Sequence, residues 1–120
     1  MAIEGVIARR RTERAVLIER ARVFVQRISR TMPLRGAIVI GSVARGDFNR
    51  WSDVDLLLIA DGLDPNPLRR VEQLGDRPAL VQPIIWTTAE WVTQVARHNP
   101  MAREALEFGE WLQGSPQALT

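Results

Sequence analysis

Two apolar runs joined by a polar segment dominate the middle of this chain, GAIVIGSVARGDFNRWSDVDLLLIA from Gly36 to Ala60. The first run, Ala37 to Ile40, ends abruptly at Gly41 and Ser42, which is typical of a buried strand that enters a tight turn. Such a turn brings backbone N–H groups and a hydroxyl to one spot, where phosphate oxygens bind well. A Gly-Ser pair by itself is equally typical of a plain turn. The stretch predicts strand, turn, short helical turn, loop and strand.

A pair of aspartates marks the start of the second apolar run, Val54 to Ile59. Side chains alternate between the two faces of a strand, so Asp53 and Asp55 should point the same way. Like charges held close together are costly unless a cation or hydrogen-bond donors neutralise them, and magnesium prefers carboxylate oxygen. Alternatively, Asp53 caps a turn and Asp55 pairs with an arginine. The two residues alone leave both interpretations open.

Length and composition limit the classes of protein to which the chain can belong. Its 120 residues, 46% hydrophobic and 25% charged, predict one domain over residues 1–120. Cysteine is absent and there is one histidine, which excludes disulfides and cysteine or histidine zinc clusters. The N-terminus lacks the apolar core of a signal peptide, and no apolar run approaches the roughly 20 residues of a membrane span. We therefore expect a soluble, cytoplasmic protein.

Arginine supplies all sixteen basic residues, which raises the pI to 10.8 although the formal charge is +2. Arginine pairs bidentately with carboxylates and phosphates, so the surface suits a phosphate ligand or an acidic partner. Direct binding to nucleic acid is weakly supported, because the excess charge is small and no long basic run occurs.

A long amphipathic helix is predicted near the N-terminus, over about residues 4–31. Apolar side chains recur there at three- and four-residue spacing, and Pro33 ends the helix. The polar face of this helix is rich in arginine. That face is either an ordinary solvated surface or a docking face for an acidic partner, and the sequence leaves both open.

The rest of the chain alternates between short helices and strands. The predicted elements are helix Leu68 to Leu74, strand Ala79 to Trp86, a helix from Thr87 to His98, helix Met101 to Phe108 and strand Glu110 to Leu112. Pro83 indicates an edge strand or a broken ladder. Thr87 and Glu90 match a capping box, and the helix after it should bury Trp91, Val92, Val95 and Ala96.

This order of elements predicts an α+β fold with α/β-like alternation, in which helices cover a small mixed β-sheet. The core should span residues 36–112, and residues 113–120 should form a flexible tail. The connection between the first two strands is compatible with parallel or antiparallel pairing.

Single histidine and tryptophan residues are harder to assign to a role. His98 is most simply a helix C-cap, Trp51 stacks on a base or covers the core, and the other tryptophans belong to the core or an interface.

The central motif resembles a known family. Gly41-Ser42, ten residues and then Asp53-Val54-Asp55 match the signature of the nucleotidyltransferase superfamily that includes DNA polymerase beta. The wider string GSVARGDFNRWSDVDLLLI closely resembles the minimal nucleotidyltransferase domains of prokaryotes. Ile84 to Leu112 is similar to the tail of these domains, with a threonine-capped helix, an asparagine-centred turn and a last helix ending in glycine.

The resemblance implies a role for each residue of the motif. Gly41 and Ser42 would hold the β and γ phosphates of a nucleoside triphosphate, and Asp53 and Asp55 would bind magnesium ions that bridge them. Arg45 would reach the triphosphate or, equally well, pair with the nearby Asp47. Ser52 would orient the carboxylate of Asp53. A hydroxyl would attack the α-phosphate in line and release pyrophosphate, with two metals stabilising the attacking and leaving oxygens.

One position departs from the family pattern. The superfamily usually supplies a third carboxylate from a later strand, and the matching residue here is Gln82. A glutamine cannot act as a base and binds magnesium poorly. Glu72, Asp76 or Glu90 are possible substitutes, but nothing in the sequence places them near the motif.

Two functions follow from the resemblance. The first is a minimal nucleotidyltransferase that binds Mg²⁺ and ATP and transfers AMP to a partner protein, as in antitoxins paired with a small helical HEPN ribonuclease toxin. The second is an antitoxin-like binding module that keeps the fold without effective catalysis, as Gln82 favours. Transfer to a small molecule ranks lower, because the chain lacks an extra substrate-binding region. A homo- or hetero-oligomer is compatible with either function.

Overall fold

A computed structural model describes residues 3–49 and 51–119 of the chain. Its helices and strands follow in the order α1 (Ile3–Ser29), β1 (Leu34–Ile40), α2 (Gly41–Arg45), β2 (Val54–Ala60), α3 (Pro67–Gln73), β3 (Val81–Trp86), α4 (Thr88–Ala96), α5 (Pro100–Glu107) and β4 (Glu110–Gln113). A 3₁₀ turn, Pro116–Leu119, closes the described part. The predicted α+β class with a small mixed sheet is confirmed.

Four strands form one sheet in the order β3-β2-β1-β4. The central pair, β1 and β2, is antiparallel, which answers the question that the sequence left open. β4 pairs antiparallel with the outer side of β1, and β3 pairs parallel with β2. β3 therefore lies at an edge of the sheet, as Pro83 predicted, because an edge strand tolerates a missing N–H.

Different helices cover the two faces of the sheet, because alternate strand residues point to opposite sides. α1 packs on the face that carries Val39, Leu56 and Leu58. α4 and α5 pack on the face that carries Ile38, Ile40, Leu57 and Ile59. Within this second layer Trp91 is 3% exposed and lies between two other indoles, 6.4 Å from Trp86 and 5.7 Å from Trp111 between ring centroids.

The starts of the later helices follow local sequence signals. Thr87 Oγ1 accepts a hydrogen bond from Glu90 N, and the Glu90 carboxylate accepts one from Thr87 N, so the predicted capping box is present. Asn99 caps α5 by accepting from Met101 N at 2.8 Å. His98 has φ 55° and donates its N–H to Val95 O, which agrees with the predicted place at the end of α4.

Two expectations about burial are wrong. Val92 is 48% exposed and Ala96 is also exposed, because Trp91 and Val95 alone define the inner face of α4. Residues 113–119 are not a loose tail, since Gln113 ends β4 and Leu119 is 1% exposed. Leu119 packs together with Ile59 above Gly36, which has no side chain of its own. Thr120, the last residue of the predicted tail, lies outside the described residues.

In the part of the chain that the structure describes, no helix is both long enough and apolar enough to span a membrane.

Candidate functional site

The end of β1 is pressed against the start of β2. Ile40 pairs with Asp55 across the antiparallel ladder, so Gly41 begins its turn beside that aspartate. Gly41 has φ +73°, and a Cβ on it would lie 2.4 Å from Asp55 Oδ2, closer than real Cβ atoms approach an oxygen. Glycine is therefore required twice at this position, for the backbone conformation and for the close approach. The position of the Gly41 turn and that of the Asp55 carboxylate therefore depend on each other.

The two aspartates of the motif lie close enough to repel each other. Asp55 is half-buried and Asp53 is exposed, at the beginning of β2. Burial raises the pKa of the Asp55 carboxyl, the negative charges of Asp53 and Glu104 raise it further, and Arg45 lowers it. A partly desolvated acid beside a second carboxylate is stabilised by a cation, so this pair fits a hard divalent ion.

Gln82 stands next to the aspartate pair on the neighbouring strand. It is the register partner of Asp55 across β2 and β3. Its Nε2 donates to Asp53 Oδ2 at 3.3 Å, and its Oε1 accepts from Arg77 Nη1 at 3.3 Å. The position of the missing third acid thus carries a neutral amide that links a carboxylate to a guanidinium.

Among the described residues, no third acid completes a metal cluster. Across residues 3–49 and 51–119, no group of three or more histidine, aspartate or glutamate residues is arranged to hold a metal ion. The protein donors that remain are the Asp53 and Asp55 carboxylates. Magnesium commonly binds through one or two carboxylates and completes its shell with substrate phosphates and water, so a two-carboxylate site is compatible with it.

Arg45 is held by acids on both sides. Its Nε donates to Asp47 Oδ2 at 3.3 Å, and its Nη1 forms an ion pair with Glu104 on α5. These hydrogen bonds, first to Asp47 and then to Glu104, raise the pKa of Arg45 above its usual value. The structural alternative predicted for Arg45, pairing with Asp47, is therefore present. Binding of a triphosphate by Arg45 stays a prediction.

The loop before Asp53 is closed by its own polar groups. Ser52 Oγ accepts from Asn49 N at 2.9 Å, and Ser52 N donates to Asn49 O at 3.0 Å. The hydroxyl oxygen of Ser52 thus contacts Asn49, and orientation of the Asp53 carboxylate by Ser52 stays a prediction. Trp51 is 76% exposed, so it does not cover the core. Stacking of Trp51 on a base stays a prediction.

The family assignment rests on residues 18–98, more than half of the chain, which match the sequence profile described as "Nucleotidyltransferase domain". The chain belongs to the nucleotidyltransferase domain family. The matched region contains the Gly41–Ser42 turn, both aspartates and Gln82. None of the curated proteins matches the chain significantly.

The fold of the chain is similar to that of one solved structure. A protein from Sulfolobus solfataricus, provisionally described as a nucleotidyltransferase, has a TM-score of 0.63 and 20% identity, covering 85% of this chain and 84% of that one. Similarity is weaker to a toxin-antitoxin crystallised with AMP-PNP, which has a TM-score of 0.47 and 16% identity. That match covers 82% of this chain and 77% of the other. A mutant of the toxin-antitoxin MntA-HpeT has a TM-score of 0.44 and 15% identity, and the match covers 80% of this chain and 75% of that one.

The structure also shows which other acids lie near the site, where the nucleotidyltransferase family usually has a third carboxylate. Glu90 is used in the cap of α4 and in an ion pair with Arg70, 2.6 Å between Nη1 and Oε1. Gln82 lies near the start of β3, whereas Glu90 lies in α4, after the end of β3. Glu90 therefore does not replace the third acid. Glu104 lies near Asp55 instead, and sequence reasoning missed it. No local signal distinguishes Glu104 from other acids on a helix, because its position depends on how α5 packs across the sheet.

Proposed function

We propose that this nucleotidyltransferase-family chain binds ATP with Mg²⁺ at the Gly41–Asp55 site and transfers AMP to a partner protein. Gly41 and Ser42 would hold the β and γ phosphates. Asp53 and Asp55 would hold the metal, whose chemical contribution is to neutralise charge on the phosphate oxygens. The acceptor we propose is a small helical HEPN protein, as in the toxin-antitoxin pairs that the motif resembles.

One observation carries this proposal: the contact between Gly41 and the carboxylate of Asp55. The Gly-Ser turn offers backbone N–H groups to an anion, and Asp55 offers oxygen to a cation. A ligand that is itself a complex of a polyanion with a divalent ion satisfies both at once. Metal–nucleoside triphosphate has this chemistry, whereas a simple anion would be repelled by the adjacent carboxylates.

The reaction would form a bond between the acceptor hydroxyl oxygen and the α-phosphorus and break the bond from that phosphorus to the bridging oxygen. Pyrophosphate would leave from the Gly41–Ser42 turn. The proton of the hydroxyl needs an acceptor, and Gln82 has no basic oxygen to take it. With no acid at this position of β3, the proton would pass to solvent or to a phosphate oxygen of the substrate. We therefore expect slow transfer.

The geometry of Gln82 favours a second candidate function. The amide already donates to Asp53, and its oxygen is satisfied by Arg77, so a stable neutral network occupies the catalytic side. In this alternative the chain binds Mg²⁺–ATP and its partner but is catalytically weak or inactive. Both candidates require the same nucleotide site and differ in whether a covalent product forms.

One experiment separates the two candidates. The protein is incubated with ATP labelled in the α-phosphate, Mg²⁺ and the purified product of the adjacent reading frame, and label on that product is measured beside ATP affinity by calorimetry. Transfer predicts label that Asp53→Asn abolishes and that Asp76→Asn, an exposed acid on the loop before β3, leaves unchanged.

The remaining outcomes are equally informative. Magnesium-dependent ATP binding with no label at any enzyme concentration supports the binding module and overturns the transferase. An affinity for ATP that does not depend on Mg²⁺, or no affinity at all, overturns both candidates.

A further inference from the structure

The N-terminal end of α1 continues past the body of the domain. Every residue from Ile3 to Arg9 is exposed, whereas the C-terminal half of the same helix packs on the sheet through Leu17, Ala21 and Phe24. At a rise of about 1.5 Å per residue, this exposed segment is roughly 10 Å long. We call residues 3–9 the α1 extension.

The apolar stripe of α1 does not end where the domain ends. Ile3, Val6 and Ile7 stand at i, i+3 and i+4 spacing and are 75%, 51% and 44% exposed. At about 100° per residue they lie on the same side of the helix as Leu17, Ile18 and Ala21, which pack against the sheet. The α1 extension therefore presents a core-like stripe with no part of the described domain beneath it.

Arginines flank this stripe. Arg9 and Arg11 project on opposite sides of it, and residues 3–11 contain one acid, Glu4. Over the whole of α1, seven arginines and three glutamates give a formal charge of +4, whereas the full chain carries +2. The rest of the chain is thus net acidic, and the positive charge is concentrated on α1.

The α1 extension continues from the part of α1 that packs against α2. Arg10 Nη2 donates to Gly46 O at 3.0 Å, and the Arg10 guanidinium stacks over Phe48 at 4.1 Å from the ring centroid. Arg14 Nε donates to Val43 O at 3.0 Å. These bonds fix α1 against α2, the short helix that starts at Gly41. The contacts move from Val43 to Gly46 as α1 runs back from Arg14 to Arg10, so the extension begins where α1 passes the Gly46 end of α2.

We propose that the α1 extension is the docking element for the protein acceptor, and that it binds an acidic surface with an exposed apolar patch. The stripe of Ile3, Val6 and Ile7 buries against the apolar patch, and Arg9 and Arg11 pair with carboxylates at its rim. This inference rests on the proposed function in taking the bound protein to be the acceptor. It adds where the acceptor binds and which chemistry recognises it.

Charge and apolar exposure favour an acidic protein over two other ligands of the extension, a second copy of this chain and nucleic acid. A second copy would bring another α1 of charge +4 against the first, which like-charge repulsion disfavours. Nucleic acid would use the arginines but would leave the exposed isoleucines and valine in water, because phosphate contacts bury little apolar surface. An acidic, partly apolar protein satisfies both features.

The test compares two pairs of substitutions on the same helix. Val6→Ser with Ile7→Ser removes the stripe of the extension. Val16→Ser with Val23→Ser removes two residues of similar exposure, 52% and 56%, on another side of α1. Serine has nearly the helix propensity of valine and isoleucine, so both pairs should keep the helix and the wild-type Tm. Affinity for the purified product of the adjacent reading frame is measured by calorimetry without ATP.

We expect the extension pair to weaken binding at least tenfold and the control pair to change it less than twofold. Arg9→Ala with Arg11→Ala should weaken binding at low salt and flatten its salt dependence. Gly5→Ala should tighten binding, because no atom lies within 4 Å of the added methyl and alanine favours the preformed helix.

Three results would overturn the proposal. They are equal loss from both serine pairs, no binding of the adjacent gene product to the wild-type chain, and loss of self-association or of RNA binding as the only effect of the extension pair. Because ATP is absent, Asp53→Asn should bind the partner like wild type. Failure of docking is thereby separated from failure of the nucleotide site.

Discussion

The two halves of the candidate site differ in how closely they are packed, and we call them the tight half, on β1 and β2, and the loose half, on β3. The half on β1 and β2 lies on the two central strands, where Gly41 touches Asp55 with no space for one more carbon atom. The half on β3 lies on an edge strand, where Gln82 and Arg77 are exposed and joined by a 3.3 Å hydrogen bond. Packing fixes the first half, whereas solvent surrounds the second. Substitution of Gln82 should therefore leave the fold and the Gly41 turn unchanged.

Charge is divided in the same way. The β1–β2 half carries two aspartates, and Glu104 adds negative potential from α5. The β3 half carries a neutral amide and a guanidinium. On the proposed function, nucleotide and metal binding would depend on the buried half, and the rate of transfer would depend on the exposed half.

The largest effect should come from breaking the tight half with Gly41→Ala. The left-handed backbone costs an alanine about 1–2 kcal/mol, and its Cβ would collide with Asp55 Oδ2. We expect a loss of about 2–4 kcal/mol in the free energy of unfolding, measured with urea, together with loss of Mg²⁺–ATP binding by calorimetry.

Gly46→Ala is the matched control for this substitution. Gly46 has φ +91°, but nothing lies within 4 Å of the added methyl, so it should cost the backbone term alone, about 1–2 kcal/mol. Equal losses for the two variants would show that the contact with Asp55 is not what makes Gly41 necessary.

A smaller effect, and a gain, is expected when an acid is restored to the loose half. Gln82→Asp places a carboxylate beside Asp55 and Asp53, where it can accept a proton and bind metal. If transfer occurs, its rate should rise by roughly a hundredfold, the usual contribution of a positioned general base. The measurement is label transferred to the partner per unit time.

Gln82→Asn has the same size as the aspartate variant without its charge and should not raise the rate. Arg77→Gln combined with Gln82→Asp should transfer faster still, because the guanidinium that neutralises the new acid is removed. Activation by asparagine would mean that side-chain length at this position, rather than its charge, limits the reaction.

The sequence was sufficient for the features that local signals determine. The turn at Gly41–Ser42 and the capping box at Thr87 follow from neighbouring residues. Pro83 limited β3 to an edge strand or a broken ladder, and the structure shows the edge strand. The correspondence of Gln82 with the third-acid position was drawn from the family pattern, and the register of Gln82 with Asp55 agrees with it.

Features that depend on packing were not predictable. The ion pair of Arg45 with Glu104 joins residues 59 apart in the chain, and no periodicity reports such a contact. The position of Leu119 near the C-terminus predicts a flexible tail, yet its side chain packs over Gly36. The antiparallel pairing of β1 and β2 is likewise set by how the loop folds back.

The smallest change in stability should appear in the metal-free protein, because the partly buried charge of Asp55 lowers the free energy of unfolding. Burial, together with the charges of Asp53 and Glu104, raises the pKa of Asp55 above that of an aspartate in the unfolded chain. Above this raised pKa, the folded state holds a charged, partly desolvated carboxylate that the unfolded state hydrates. Asp55→Asn should therefore increase the urea midpoint at pH 7 while it weakens Mg²⁺–ATP binding at least tenfold.

The pH dependence of that gain tests its cause. As the pH falls through the raised pKa of Asp55 and then below about 3.9, where an unfolded aspartate takes up its proton, the penalty in the wild type disappears. The urea midpoints of wild type and Asp55→Asn should converge there. Asp53→Asn removes the repulsion but not the burial, so it should give a smaller gain at pH 7. A lower midpoint for Asp55→Asn at pH 7 would mean that the Asp55 carboxylate stabilises the tight half even without metal.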